Sequence, residues 1–210
     1  MAGKVIAVVQ QKGGSGKTTL AVNLAVACTR RGLTVALLDT DPQGSLGRWF
    51  MARRERLGDP GMEFSTSSAW GVSYECEKLK RSADIVIIDT PPKVDADLRP
   101  ALREADLILV PVASSHVDLW ATDGVLDLAA RERKAAWMVL NRVRQGTRLS
   151  EDVARAAGEL SAGLAEARLA NRVAYAETLG QGLGAEEAGT KAVKDEVAAL
   201  TDEVLAKLNG

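Results

Sequence analysis

The chain has 210 residues, a formal net charge of −1 and an ordinary share of hydrophobic (46%) and charged (26%) residues. That length suits one domain with a core that needs no disulfide or metal, and the near-zero charge excludes attraction to nucleic acid or membrane by bulk electrostatics. Cys28 and Cys76 lie far apart and read as reduced thiols. No stretch approaches the roughly 20 apolar residues of a bilayer span, and the first apolar run is too short for a cleavable signal, so a cytoplasmic protein is expected.

The first predicted strand, Lys4–Val9, runs into Gln10-Gln11-Lys12-Gly13-Gly14-Ser15-Gly16-Lys17-Thr18-Thr19, and helical periodicity (Leu20, Leu24, Ala27) follows. Strand, glycine-rich turn and helix are the context of a phosphate-binding loop. The glycines allow backbone N–H groups to converge, and the helix start adds partial positive charge where a polyphosphate would sit. Lys17 would reach the β- and γ-phosphates and the Thr18 hydroxyl would ligate Mg²⁺, with Gly13, Gly14, Ser15, Gly16 and Thr19 completing the cradle. The spacing departs from G-x-x-x-x-G-K-[ST], because Gln11 stands where a glycine is usual and a second lysine, Lys12, precedes Lys17 by five residues.

The second predicted strand, Thr34–Asp39, ends in Asp39-Thr40-Asp41-Pro42-Gln43-Gly44. Carboxylates two apart in an extended chain share a face and can both address a metal–phosphate region. A helix cap and a turn aspartate are the other reading of the same pair. After a third strand near Met62–Ser65, the fourth, Asp84–Asp89, is a buried apolar run that delivers one carboxylate, Asp89, at its tip before Thr90-Pro91-Pro92. This suits a carboxylate that holds Mg²⁺ through water. A fifth strand at Leu107–Val112 leads to His116, the only histidine, which reads as a helix-start residue before Val117-Asp118-Leu119-Trp120. Trp120 and Trp137 read as core packing, whereas Trp49 and Trp70 read as candidates for a partner surface.

A sixth strand, Ala136–Leu140, is followed by Asn141-Arg142-Val143, and a weaker strand is predicted near Glu166–Leu169. An N-K-x-D guanine signature is absent from the chain, which favours ATP over GTP, and Asn141 reads either as a group able to pair with an adenine edge or as a loop asparagine tolerating unusual backbone angles. The final stretch places Val193, Val197, Leu200 and Val204 on one helical face that packs back on the body. Between residues 131 and 172 nine basic residues stand against five acidic ones, and Arg48, Arg53, Arg54 and Arg56 form a second cluster. Such an excess is either a solvated surface or a phosphate-backbone contact made effective by pairing two copies. Alternating strands and helices argue for a parallel sheet covered on both faces, with ligands bound beyond the carboxyl ends of its strands.

The K-G-G-x-G-K-T-T string, with D-x-D-P-Q at Asp39–Gln43 and D-x-P-P at Asp89–Pro92, resembles the deviant Walker-A ATPases of the ParA/MinD family, closest to small ParA-type proteins. The segment Arg172–Glu177 with Gly180-Gln181-Gly182 resembles a late ParA segment, so the likeness spans residues 5 to about 205. The resemblance implies a single-domain P-loop NTPase fold: a mostly parallel twisted sheet of about seven or eight strands with helices on both faces. It implies an ATP-bridged homodimer with Lys12 crossing the interface, Asp41 orienting the attacking water, Asp39 supporting the metal shell and Asn141 reading adenine. Slow ATP hydrolysis, stimulated by a ParB-like partner, would release a dimer bound non-specifically to DNA, with Arg168 and Arg172 as candidate contacts and a nucleoid-associated location. Segregation of plasmid or chromosomal DNA is the main expectation. The alternative keeps the switch but positions a protein cluster or the division apparatus, and a metabolic ATP-coupled enzyme on the same fold ranks below both. Ala185–Lys207 carries six acidic and three basic residues, the wrong sign for the basic membrane helix of MinD-type proteins.

Overall fold

The structure, a computed structural model, describes residues 2–93, 98–160 and 162–209. Seven parallel strands form one sheet: β1 (Lys4–Val8), β2 (Val35–Asp39), β3 (Glu63–Thr66), β4 (Ile85–Asp89), β5 (Leu107–Ala113), β6 (Ala136–Asn141) and β7 (Gly163–Leu164). Their order is β3-β2-β4-β1-β5-β6-β7, which puts the strand leading to the glycine-rich turn in the middle, between β4 and β5. The central strands are unbroken β-branched and leucine runs because helices cover them on both faces.

Side chains leave a strand alternately to either face, so each central strand feeds two cores. Val5, Ala7 and Val9 pack toward α3 (Val72–Leu79), α4 (Arg99–Glu104), α5 (His116–Trp120), α6 (Asp123–Arg131) and α7 (Arg148–Gly158). Ile6 and Val8 pack toward α1 (Lys17–Arg30), α2 (Ser45–Leu57), α8 (Val173–Gly180), α9 (Ala185–Ala188) and α10 (Lys191–Asn209). Helix α1 is buried on nearly every side because the sheet lies beneath it and α8, α9 and α10 lie over it. The expected face of α10 (Val193, Val197, Leu200, Val204) is the one that is buried. Cys28 and Cys76 are buried free thiols, held above the ordinary thiol range chiefly by desolvation, at about 11 and about 12. No described helix is long and apolar enough to cross a membrane.

Two readings of tryptophan are reversed. Trp49 is buried, its indole N–H donating to the Leu183 carbonyl (3.2 Å) beneath the Arg53 guanidinium, whereas Trp120 stands 66% exposed on α5. Arg53 itself leaves the basic cluster: it is buried and makes a two-pronged ion pair with Glu187 (2.8 and 2.9 Å) that ties α2 to α9. Trp70 is 90% exposed, as expected for a residue without a core role.

The weak strand also moves. Ladder pairing occupies Gly163–Leu164, and residues 166–168 lift off the edge before Leu169 N–H returns to the Leu140 carbonyl (2.9 Å). The cause is a carboxylate from α10: Glu203 accepts from the N–H groups of Glu166 (2.9 Å) and Ala167 (2.7 Å), which satisfies the backbone without a strand neighbour. At the strand itself Gly163 is required, because a Cβ there would lie 2.7 Å from the Trp137 ring. Glu203→Ala orphans both amides and is expected to cost about 1–3 kcal/mol in denaturant unfolding, with faster hydrogen exchange confined to Glu166 and Ala167.

Candidate functional site

The glycine-rich loop is held from strands far away in sequence. Gln10 is buried at the end of β1, where its amide donates to the Pro111 carbonyl of β5 (3.2 Å) and its oxygen accepts from Gln11 N–H (2.8 Å). Gly14 and Gly16 take φ of +75° and +92°, a region other residues rarely adopt. At Gly16 a side chain is excluded twice, since a Cβ would sit 2.2 Å from the Asn141 amide nitrogen. Helix α1 then starts at Lys17 with no acidic residue in its first turn, so its N-terminal N–H groups keep their partial positive charge for an anion.

The carboxylates expected at strand ends meet at this loop. Asp39 and Asp89 are paired in register at the tips of the adjacent strands β2 and β4, and Val8 of β1 is in register with Asp89 on its other side. Thr18 donates its hydroxyl to Asp89 Oδ2 (2.6 Å), while the Thr40 N–H and hydroxyl both donate to the Asp89 carbonyl (3.0 Å each). Burial, opposed by the Thr18 bond and reinforced by Asp39, pushes Asp89 up to about 7. Burial also raises Asp39 and lowers Lys17, the latter against the pull of Asp89 and Asp41. Among the described residues, buried Asp89 Oδ1 and Ser15 Oγ have no hydrogen-bond partner. An unpartnered carboxylate oxygen beside a threonine hydroxyl, and an unpartnered serine hydroxyl in the loop, fit a hard cation and a phosphate respectively.

Other predicted site residues have protein partners. Asp39 accepts Asp41 N–H (3.0 Å) and Gly47 N–H (3.0 Å), which fixes the turn into α2. Asp41 Oδ1 accepts Gln43 N–H (2.9 Å), an Asx-turn, so the turn reading of this pair holds in the structure. Asn141 is buried: its amide donates to the Ser15 carbonyl (2.9 Å) and its oxygen accepts Arg142 N–H (2.9 Å), which commits one of its two N–H donors and one lone pair to bracing the loop. Gly13 has open space around it, and Lys12 is half-exposed, its ammonium bonded to Asp118. His116 is the first residue of α5.

Arg168 and Arg172 are not brought to the loop as free cations: Arg168 meets Glu151 (3.3 Å) and Arg172 meets Glu196 (2.7 Å), which also accepts from Tyr175. Three contributors escaped the sequence reading. Gln10 and Thr90, whose hydroxyl donates to the Val8 carbonyl (2.8 Å), are polar residues at the ends of apolar runs. Asp118 carried a signal in Ser115-x-x-Asp118, the pattern of a reciprocal helix cap.

Comparison with known proteins agrees with this geometry. The family model for the CobQ/CobB/MinD/ParA nucleotide binding domain matches residues 6–179. The chain is 27% identical over 208 residues to "Maintenance of carboxysome distribution protein A" of Halothiobacillus neapolitanus, covering 95% of each chain. It is 33% identical over 151 residues to the chromosome-partitioning ATPase Soj of Thermus thermophilus, covering 60% of this chain and 59% of Soj. In fold it superposes on the apo McdA of "Cyanthece" with a TM-score of 0.82 at 17% identity, over 96% of this chain and 99% of that one.

Two outcomes are expected. Asn141→Ala should weaken ATP and GTP binding by similar factors if the residue braces the loop, measured by titration of a fluorescent analogue of each; loss confined to ATP would show adenine reading instead. Asp89, raised from 3.8 to about 7, favours the protonated folded state, so its contribution to stability is complete below pH ~4 and is lost as pH rises through 7. Asp89→Asn should therefore stabilise the nucleotide-free protein by about 1–3 kcal/mol at pH ~8 and less at pH ~6, while abolishing Mg²⁺-dependent nucleotide binding. Thermal melts at the two pH values check it.

Proposed function

Because the chain belongs to the CobQ/CobB/MinD/ParA nucleotide-binding family, we propose that it is an ATPase working as an ATP-dependent dimerising switch that positions a large cargo. The observation that carries this is the pair of lysines on one loop: Lys17 is buried at the start of α1, and Lys12 stands half-exposed on the rim. One serves the nucleotide of its own subunit and the other, paired with Asp118 in this chain, is placed to address a second copy.

In this reading the N–H groups of Gly13–Thr19 cradle the phosphates and Lys17 reaches the β- and γ-phosphates. Thr18 and Asp89 hold Mg²⁺, which neutralises charge at the transferred phosphoryl group. Asp39 supports that arrangement from behind by fixing the turn that carries Asp41, and Asp41 orients the attacking water once its turn bond is exchanged. Lys12 crosses to the partner's nucleotide, so hydrolysis and dimer release are one event. Turnover is slow because it times the switch, and a partner protein accelerates it.

The cargo is a protein body in preference to a plasmid or chromosome. This departs from DNA segregation, the main expectation from sequence, because a relative matched over 95% of both chains is a carboxysome distribution protein. DNA segregation is the second reading, favoured by the partial likeness to Soj. Both readings give the ATP dimer the nucleoid as its matrix, through non-specific, salt-sensitive contact with DNA. Arg168, partly exposed, is one candidate contact, whereas Arg172 is tied into the Glu196–Tyr175 network. Arg142, Arg144 and Arg148 are exposed within one short segment and add to the candidates.

Binding to duplex DNA with no nucleotide, with ADP and with a non-hydrolysable ATP analogue tests the switch. Binding only with the analogue, weakened about 10-fold or more by moderate salt, is expected; equal binding in all three states would refute it. Lys12→Ala should retain nucleotide binding but lose ATP-driven dimerisation, read by light scattering. Pull-down on a genomically neighbouring protein-body component against a ParB-like protein separates the two cargoes.

A further inference from the structure

Lys12 has a partner inside its own chain that the nucleotide chemistry does not require. Its ammonium bonds Asp118 Oδ1, and Asp118 is the third residue of α5. That carboxylate is held by the start of its own helix. The Ser115 hydroxyl donates to Asp118 Oδ2, and the Asp118 N–H donates back to Ser115 Oγ (3.1 Å), so side chain and backbone lock each other at the helix start.

The two partners differ in freedom. The Asp118 side chain is 13% exposed and that of Lys12 is 43% exposed, so a preformed acceptor holds a mobile cation. On the same helix Val117 and Trp120 stand 58% and 66% exposed. The pair therefore opens on a surface where apolar side chains are uncovered, beside the loop that bears the second lysine.

We propose that Asp118 is a positioning residue for Lys12: it keeps the ammonium in its own subunit until a second copy presents a triphosphate. This rests on the reading of Lys12 as a cross-subunit residue. Dimerisation then exchanges one anionic partner of Lys12 for another, and a triphosphate with its several charges outcompetes a single carboxylate where a diphosphate does not. Asp118 sets the threshold of the switch, and it does so at both ends of a symmetric dimer. A partly exposed ion pair shifts an equilibrium by a few fold, and two are released together, which gives a combined factor of about 5 to 30.

The test uses the full chain with a non-hydrolysable ATP analogue and reads the dimer dissociation constant by analytical ultracentrifugation. Asp118→Asn keeps an acceptor for Ser115 while removing the charge, and it should tighten the dimer about 5- to 30-fold, with monomer affinity for Mg·ADP unchanged. Asp118→Ser, a second route to the same loss of charge, should act alike, and Asp118→Glu should restore the wild-type constant. In a Lys12→Ala background, which is expected not to dimerise, the asparagine substitution should recover no dimer, whereas a general stabilisation of the interface would. An unchanged or weaker dimer in Asp118→Asn, or a dimer recovered by it without Lys12, overturns the proposal. Wild-type dimerisation by Lys12→Ala alone overturns the cross-subunit reading itself, a separate failure read from a separate variant.

Discussion

The rest of the structure depends on a concentration of charge buried where three central strands end. Asp89 and Asp39 stand in register on neighbouring strands, and Lys17 is buried beside them without a direct ion pair to either. Burying such groups is costly unless hydrogen bonds and opposite charge compensate. Here compensation is partial: Asp39 receives two backbone N–H groups and Asp89 receives one threonine hydroxyl, yet one Asp89 oxygen and the Ser15 hydroxyl lack partners. The nucleotide-free fold therefore carries an electrostatic cost that a bound cation and polyphosphate would relieve. Ligand binding and stability are linked through the same few atoms.

That cost is tolerable only because the loop around it cannot relax. Four cross-braces come from distant sequence: Gln10 to β5, Asn141 from β6, Thr90 to β1 and Thr18 to β4. Each joins a strand tip to the loop or to its neighbour, so the loop inherits the rigidity of the sheet. The same braces make the loop a junction. Strand β5 continues into α5 and its Asp118, and β6 continues into the exposed arginines ahead of α7. A change in what occupies the loop thus has short covalent routes to Lys12's partner and to the basic segment.

Much of this was legible in sequence, for identifiable reasons. The convergence of Thr18, Asp89 and the glycine-rich turn at one loop was recoverable because a strand, a glycine-rich turn and a helix in that order place them together. Strands β1, β2, β4, β5 and β6 were recoverable because burial on both faces demands mostly continuous apolar runs, whereas β3 is a short edge strand. What escaped were partnerships set by tertiary contact. The strand expected at Glu166–Leu169 lost its ladder to a carboxylate 36 residues away on α10, which no local pattern announces. Asn141 reads in sequence as a base contact, yet its bond to Ser15 depends on how closely Gly16 lets β6 approach. Trp49 and Trp120 exchanged roles because Leu183 offered a carbonyl to one indole, while the short helix α5 turns the other outward.

The same contrast separates chemistry from cargo. The nucleotide-handling atoms lie in the interior and vary little in what they can be, whereas the groups able to meet a cargo lie on outer helices. Part of the apparent basic surface is structural: Arg53 is spent on Glu187 and Arg172 on Glu196. With a net charge of −1, the exposed arginines of one subunit gain no help from bulk attraction in holding a polyanion against salt. In the proposed dimer two copies would present twice that patch on one body, and the gain in affinity would be multiplicative because the second contact is intramolecular. A near-neutral chain is thus suited to a switch in a way a strongly basic one is not. The latter would stay on DNA in every nucleotide state, and hydrolysis would have nothing to release.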